Sequence, residues 1–324
     1  MSALSEAARR LAAGDVIAFP TETVYGLGAD ATNEAAVAKI FAMKDRPADH
    51  PLIVHVADAE TLSEWAVGIP REARILASRF WPGPLTMILR KSARVPAGVT
   101  GGQDTVGLRC PSHPVARQLL QEFAEVGSGA VAAPSANKFG HVSPTLAEHV
   151  REEFGPGLFI LDGGPCDVGL ESTIVDLSRG KPVLLRPGAI TRDDLAQVLG
   201  MEPSERDAEA PRASGTLAAH YAPRTALAIV EAAALDIELA APSNIAVLAL
   251  REPPPTARVT SWITAPFDAG RYAHDLYANL RKLDASGAKR IVVEAPPTTA
   301  PWEAVNDRLW RAAAGAEGPL DDEP

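Results

Sequence analysis

The sequence predicts an α/β protein of two domains, a twisted mixed sheet with flanking helices followed by a smaller doubly wound parallel domain. Three observations carry this. A chain of 324 residues exceeds what one hydrophobic core usually organises. From Gly14 to about Leu195, short apolar runs bounded by Pro, Gly and Ser alternate with helical patterns, as in sheets covered by helices. The periodicity then fails over residues 200–215, "GMEPSERDAEAPRASG", a linker composition, and resumes as a shorter alternation.

Taken in order, "MSALSEAARRLAAGD" opens an amphipathic helix. "VIAFP", "PLIVHV", "LTMILR", "TVGLR", "GAVAAP", "LFILDGG", "STIVDL" and "PVLLRPG" read as strands. "NEAAVAKIFAMK", "PREARILASRF", "HPVARQLLQEF", "TLAEHVREEF" and "RDDLAQVLG" read as helices. So many strands for so few helices favour a mixed sheet over a purely parallel one. "FPTETVYGLGADA" reads as a strand end followed by a polar, glycine-bearing loop. Beyond the linker, "ALAIVE", "IAVLAL", a helix near Gly270–Ser286, "RIVVEA" and a helix near Trp302–Ala314 give the βαβα pattern of a small Rossmann-like domain. The expected divisions are 1–199, a linker or flap at 200–223, a second domain at 224–316 and a frayed tail at 317–324.

Composition narrows the function. With 46% hydrophobic and 22% charged residues the chain reads as globular. No apolar run is long enough to span a bilayer, and no charged segment leads into one at the N-terminus, so the expected location is the cytoplasm. Cys110 and Cys166 form neither a disulfide framework nor a metal-ligand spacing and read as small buried hydrophobes. Net charge is −10, with 19 basic against 23 acidic groups in residues 1–200 and 12 against 18 in the remainder. Neither half is a basic grip for nucleic acid, so any link to RNA is expected to run through a product handed on.

No G-x-x-x-x-G-K-[ST] phosphate loop occurs. Gly26-Leu-Gly28-Ala-Asp-Ala31 fits the dinucleotide fingerprint by letter, with Asp45 and Asp49 near the ribose-binding distance. Context defeats it: Pro20-Thr-Glu-Thr separates the strand from the glycines, and the next helix has its cap at Asn33. Thr21, Glu22 and Thr23 follow the carboxyl end of a buried strand, where open α/β sheets place ligands. Lys44 and Arg46 close a helix that Pro47 stops. They either complement the helix dipole or offer a point charge and a planar fork to phosphate or carboxylate oxygens. Alone, His55 reads as a core histidine. Thr105 and Arg109 end one apolar strand; Ser135, Asn137, Ser143 and Thr145 follow another; Ser172, Thr173 and Arg186 complete the set. Together they line a pocket for a phosphorylated, carboxylate-bearing substrate, with no nucleophile–base pair.

In order, "FPTETVYGLG", "KDRPADHPLIVHV", "FWPGPLT", "VGLRCPSHP", "APSANKFGHVSPT", "GLESTIVD" and "LLRPGAIT" resemble the threonylcarbamoyl-AMP synthase family, whose catalytic unit is the YrdC-like domain. "SGTLAAHYAPRT" is similar to the hinge of its long two-domain form. The resemblance implies a YrdC-like cavity that binds ATP and L-threonine side by side. It assigns Thr23, His55, Arg109, Ser172 and the backbone at Ala133 to threonine. It assigns Lys44, Arg46, His50, Thr105, Ser135, Ser143, Arg186 and Tyr221 to ATP, with Lys44 and Arg46 as the catalytic cations. Position 50 varies in the family, often being Asn, and Ala219 stands where many relatives carry a basic residue. The implied reaction is capture of bicarbonate or carbon dioxide by the threonine amine, then adenylylation by ATP with loss of pyrophosphate. Mg²⁺ is expected to arrive on ATP, with no dedicated metal site, and the product to pass to a tRNA threonylcarbamoyl transferase complex. Carbamoyl transfer in hydrogenase maturation would need an acylphosphatase-like segment and Cys-rich zinc fingers, which two cysteines exclude. A non-catalytic RNA-binding module conflicts with the acidic charge. Residues 200–223 look too polar to pack as a core element and are expected to fold over the cavity on ligand binding, with Arg206 and Arg212 open to trypsin in the free protein.

Overall fold

The computed structural model describes residues 2–240 and 243–316; the tail expected to fray, 317–324, lies outside them. The chain forms two compact units, Met1–Phe139 with Pro144–Thr216, and Gly140–Ser143 with Leu217–Pro324.

In the first unit, α1 (Ala3–Ala12) is capped by Ser2 and leads to β1 (Ile17–Phe19) and β2 (Gly26–Asp30). Then come α2 (Glu34–Lys44), capped by Asn33, β3 (Ile53–Val56), α3 (Leu62–Trp65), α4 (Arg71–Phe80) and β4 (Leu85–Arg90). They are followed by α5 (Ala97–Thr100), β5 (Thr105–Arg109), α6 (Pro114–Val126), β6 (Ala130–Ala133), α7 (Ala147–Phe154) and β7 (Phe159–Ile160). The series ends with β8 (Thr173–Asp176), β9 (Val183–Arg186) and α8 (Arg192–Leu199), which opens on a Thr191–Asp194 capping box. Among the described residues the strands form one mixed nine-stranded sheet, β7-β1-β2-β6-β3-β5-β4-β8-β9.

The glycine segment read as a loop is a strand. Residues 26–30 pair antiparallel with β1 and β6. A Cβ on Gly28 would lie 2.6 Å from Val131 Cγ1 and 2.7 Å from Phe19 Cε1. The glycines therefore make room for the Phe19 ring, not for a phosphate. With Gly26 and Gly28 inside a strand, the dinucleotide fingerprint is excluded.

The two faces of this sheet are covered unequally. Side chains alternate along each strand, and on one face Leu27, Val54, Val56, Met87, Leu89, Leu108 and Ala132 join a continuous core under α2, α4 and α7. On the other face the apolar clusters lie toward its two ends. Ile17, Phe19, Val131 and Ala133 pack under α1 and α6. At the far end Ile53, Ile88, Ile174, Val183 and Leu185 pack with Ala213. Between these clusters lie the polar positions of the central strands, so the patterning that covers one face leaves the middle of the other to a site.

The second unit holds β10 (Leu227–Val230), α9 (Ala232–Glu238), β11 (Ile245–Ala249), β12 (Ser261–Thr264), α10 (Ala269–Asp284), β13 (Arg290–Glu294) and α11 (Glu303–Ala316). Its sheet is wholly parallel, in the order β10-β13-β11-β12. α9 and the short strand β12 were not read from the sequence.

Candidate active site

The polar middle of the first sheet is built from β6, β3, β5 and β4. His55 pairs in register with Arg109 on β5 and with Val131 on β6. By alternation, His55, Arg109, Gly107 and Thr86 share a face. All of the charged or titratable groups there are buried: Lys44, Arg46, His55, Arg109 and Arg186 are each at most 8% exposed. Four buried cations would cost several kcal/mol each to desolvate if left uncompensated, which marks this region as a site and not as a core.

Lys44 does more than complement a helix dipole. α2 ends on it, Asp45 turns the chain into the left-handed region at φ 56°, and the Lys44 Nζ donates to Ser135 O at 2.7 Å and to Asn137 O. It thereby ties the end of α2 to the loop after β6. Burial, and then neighbouring Arg46, push its pKa well below the usual lysine range, so an incoming anion would relieve a destabilised charge. Arg46 donates from Nη2 to Pro51 O at 3.0 Å and lies over the Phe139 ring, 5.7 Å from its centroid. His50 meets the edge of the same ring at 5.3 Å. Burial and then Arg46 lower its pKa. Thr105 begins β5 at the rim and Ser135 follows β6 beyond Ala133, which is buried.

A second group surrounds Arg109. Its Nη2 lies 2.8 Å from Glu22 Oε1, with both side chains 4% exposed. Glu22 Oε2 accepts from Ser112 N at 3.1 Å. The His55 pKa is pushed down to about 3, first by burial and then by Arg109, so the imidazole is neutral at ordinary pH. Its ring stands edge-on to Phe19 at 5.8 Å. Thr21 organises the loop after β1: Thr21 Oγ1 accepts from the amides of Thr23 and Val24, both at 3.2 Å, and lies 2.9 Å from Thr23 Oγ1.

Arg186 is fixed by three carbonyl or hydroxyl acceptors. Nε and Nη2 reach Ser172 O at 3.1 and 3.0 Å, Nη2 reaches Ser172 Oγ at 3.2 Å, and Nη1 reaches Ser214 O at 2.8 Å. Ser172 Oγ pairs with Thr86 Oγ1 at 2.8 Å. Thr86 escaped the sequence reading although it is the one polar side chain inside "LTMIL".

The 200–216 stretch is not a bare tether. Leu184 N donates to Ser204 O at 3.0 Å, Arg212 N to Gln103 Oε1 at 2.7 Å and Ser214 Oγ to Pro51 O at 2.7 Å. Ala213 packs with Ile53 and Ile88. Arg212, Ala213 and Ser214 thus form one wall of a small cleft over Ile53, Thr105 and Gly107. Hydrogen bonds from its own backbone, invisible to a hydropathy pattern, let a polar segment dock there. Ser143 and Tyr221 belong to the second unit, where Tyr221 is buried, at φ 63°, with Arg308 over its ring at 5.3 Å. Among the described residues no cluster of His, Cys, Asp and Glu is arranged to hold a metal ion. Both Cys110 and Cys166 are buried, and burial raises both thiols, Cys110 to about 11.

Buried cations thus gather on and beside this sheet, Arg109 on β5, Arg186 on β9 and Lys44 with Arg46 at the end of α2, a charge pattern suited to an enzyme of anionic substrates. The family model described as "Telomere recombination", covering Sua5, YciO and YrdC, matches residues 9–188. A second, "Threonylcarbamoyl-AMP synthase, C-terminal domain", matches residues 190–314. The chain belongs to the threonylcarbamoyl-AMP synthase family, enzymes of nucleotidyltransferase type. It is 39% identical to the threonylcarbamoyl-AMP synthase of Bacillus subtilis, over 96% of this chain and 93% of that relative. It is 48% identical to that of Pyrococcus abyssi over 67% of this chain, a stretch spanning 65% of that relative's length. The structure of P. abyssi Sua5 complexed with L-threonine superposes with a TM-score of 0.87 at 38% identity, over 97% of this chain and 94% of that one.

Proposed function

We propose that the chain condenses L-threonine, bicarbonate or carbon dioxide and ATP into threonylcarbamoyl-AMP and pyrophosphate, for the threonylcarbamoyladenosine modification of tRNA. The observation that carries this is the buried charge pattern. Arg109, with neutral His55 beside it, forms one subsite, and Lys44, Arg46 and Arg186 supply cations for another. An amino acid carboxylate fits the first and a polyphosphate the second. Thr23, Ala133 and Ser172 would complete the threonine subsite, and His50, Thr105 and Ser135 the ATP subsite.

In the first step the threonine ammonium gives a proton to solvent, the amine nitrogen bonds to the carbon of carbon dioxide as one C–O π bond shifts its pair to oxygen, and a second N–H proton leaves to solvent to give the carbamate anion. In the second a carbamate oxygen bonds to the α-phosphorus, the α–β P–O bond breaks, and pyrophosphate leaves with the electron pair. Such a displacement needs juxtaposition and charge neutralisation more than an acid–base dyad. Lys44 and Arg46 would offset phosphate charge, and Mg²⁺ would enter coordinated to ATP. With a net charge of −10, the protein would hand its product to a tRNA-modifying transferase and not grip tRNA itself. The test is pyrophosphate release from ATP with each common amino acid in turn. Turnover should be confined to L-threonine; equal turnover with serine or valine would overturn the substrate assignment.

A further inference from the structure

Glu22 is the partner of Arg109, yet the pair is imperfectly satisfied. The two charged atoms lie 2.8 Å apart, but Glu22 Oε1, Arg109 Nη2 and Arg109 Nε make no hydrogen bond among the described residues, although all three are buried. A buried ion pair normally persists because its remaining donors and acceptors are bonded. Glu22 is held on its other oxygen by the Ser112 amide, and the neighbouring backbone is pinned by the Val168 amide donating to Glu22 O at 2.7 Å. The carboxylate is thus anchored at one end, while its other oxygen meets Arg109 Nη2 as an ion pair without a hydrogen bond and Arg109 Nε makes none.

We propose that Glu22 is a specificity-determining residue that receives the ammonium group of the amino acid. The inference rests on the reading of Arg109 as the carboxylate-binding group. A free α-amino acid carries both charges, and the Glu22–Arg109 pair presents the complementary two. On binding, the substrate carboxylate replaces Glu22 as the partner of Arg109, and the ammonium replaces Arg109 as the partner of Glu22. No buried charge is left alone at any stage, so the exchange avoids the penalty of an uncompensated ion. Neutral His55 suits this arrangement, because a third cation would compete for Glu22. The pair also discriminates against carboxylates without an amine, which would free Arg109 from Glu22 and leave Glu22 buried without a counter-charge.

The test compares L-threonine with 3-hydroxybutyrate, which keeps the carboxylate and hydroxyl and lacks the amine, by calorimetric titration of the full-length protein. In Glu22→Gln, threonine affinity should fall about 10- to 100-fold, as for loss of a charge-assisted contact, while 3-hydroxybutyrate affinity holds or improves. Glu22→Asp keeps the charge beside Arg109 and retracts it, so it serves where Glu22→Gln does not fold. It should also weaken threonine and leave the amine-free analogue unchanged. Equal losses for both ligands would show that Glu22 only positions Arg109, and unchanged threonine affinity would show that it does neither; each result overturns the proposal. Arg109→Gln separates the underlying reading: if it leaves 3-hydroxybutyrate binding intact, Arg109 is not the carboxylate group.

Discussion

At the scale of single residues, the site is a set of charges that folding alone would not bury. Arg46 is a clear case: it is buried, donates to the Pro51 carbonyl and lies over the Phe139 ring. Arg46→Ala should leave the thermal midpoint within a few degrees of wild type. It should lower kcat/KM for pyrophosphate release by about 2–4 kcal/mol, roughly 30- to 1000-fold, if the guanidinium stabilises the phosphates in the transition state. Wild-type kinetics would return Arg46 to a helix-end cation. His55 gives a pH dependence. Its folded pKa of about 3 lies below the unfolded value of 6.5, so between those limits the unfolded chain takes up a proton that the folded chain refuses. Stability should therefore fall as pH drops from about 6.5 toward 3, by up to about 1.4 kcal/mol per unit. Urea unfolding at pH 7, 5.5 and 4.5 measures this slope, and His55→Asn should flatten it; an unchanged slope would place the acid sensitivity elsewhere. The residue types at these positions were legible because hydroxyls and cations recur at strand ends. Their pairing was not, since Glu22 and Arg109 are 87 positions apart and only the sheet brings them together.

At the scale of elements, β2 and the 204–214 stretch show where pattern reading fails. Periodicity detects side chains that need burial, and Gly26 and Gly28 have none; the need belongs to Phe19 on the next strand. Gly28→Val should force Phe19 or Val131 from its position and destabilise the fold by about 1–3 kcal/mol, a typical overpacking cost, read as a lowered urea midpoint. A midpoint equal to wild type would mean that the glycine is conformational and not steric. In the 204–214 stretch the docking is made by backbone groups. Both Arg206 and Arg212 are exposed, but the Arg212 backbone is held on both sides by Gln103, which receives the Arg212 amide and donates to its carbonyl at 3.2 Å. Limited trypsin digestion of the ligand-free protein should cut after Arg206 well before Arg212, although the sequence leaves both open to cleavage. Gln103→Ala should speed the Arg212 cut; if both bonds are cleaved at one rate in wild type, the docking is absent in solution.

At the scale of the whole molecule, the chain order of strands and helices was sufficient to predict a mixed sheet followed by a parallel one, because long alternating segments carry strong periodicity. The sheet order β6-β3-β5-β4 at the site was not, since no local signal specifies which distant strands pair. That order is what makes a site of scattered motifs: it sets His55, Arg109 and Thr86 on one polar face while the opposite face closes into core. The central claim is that this face joins three substrates in one adduct. The direct measurement uses ¹⁴C-bicarbonate with ATP and L-threonine, followed by separation of the adenylates. Label should enter an adenylate in equimolar amount to the pyrophosphate released, and both should vanish when threonine is omitted. Pyrophosphate release that proceeds without label in the adenylate would contradict the claim.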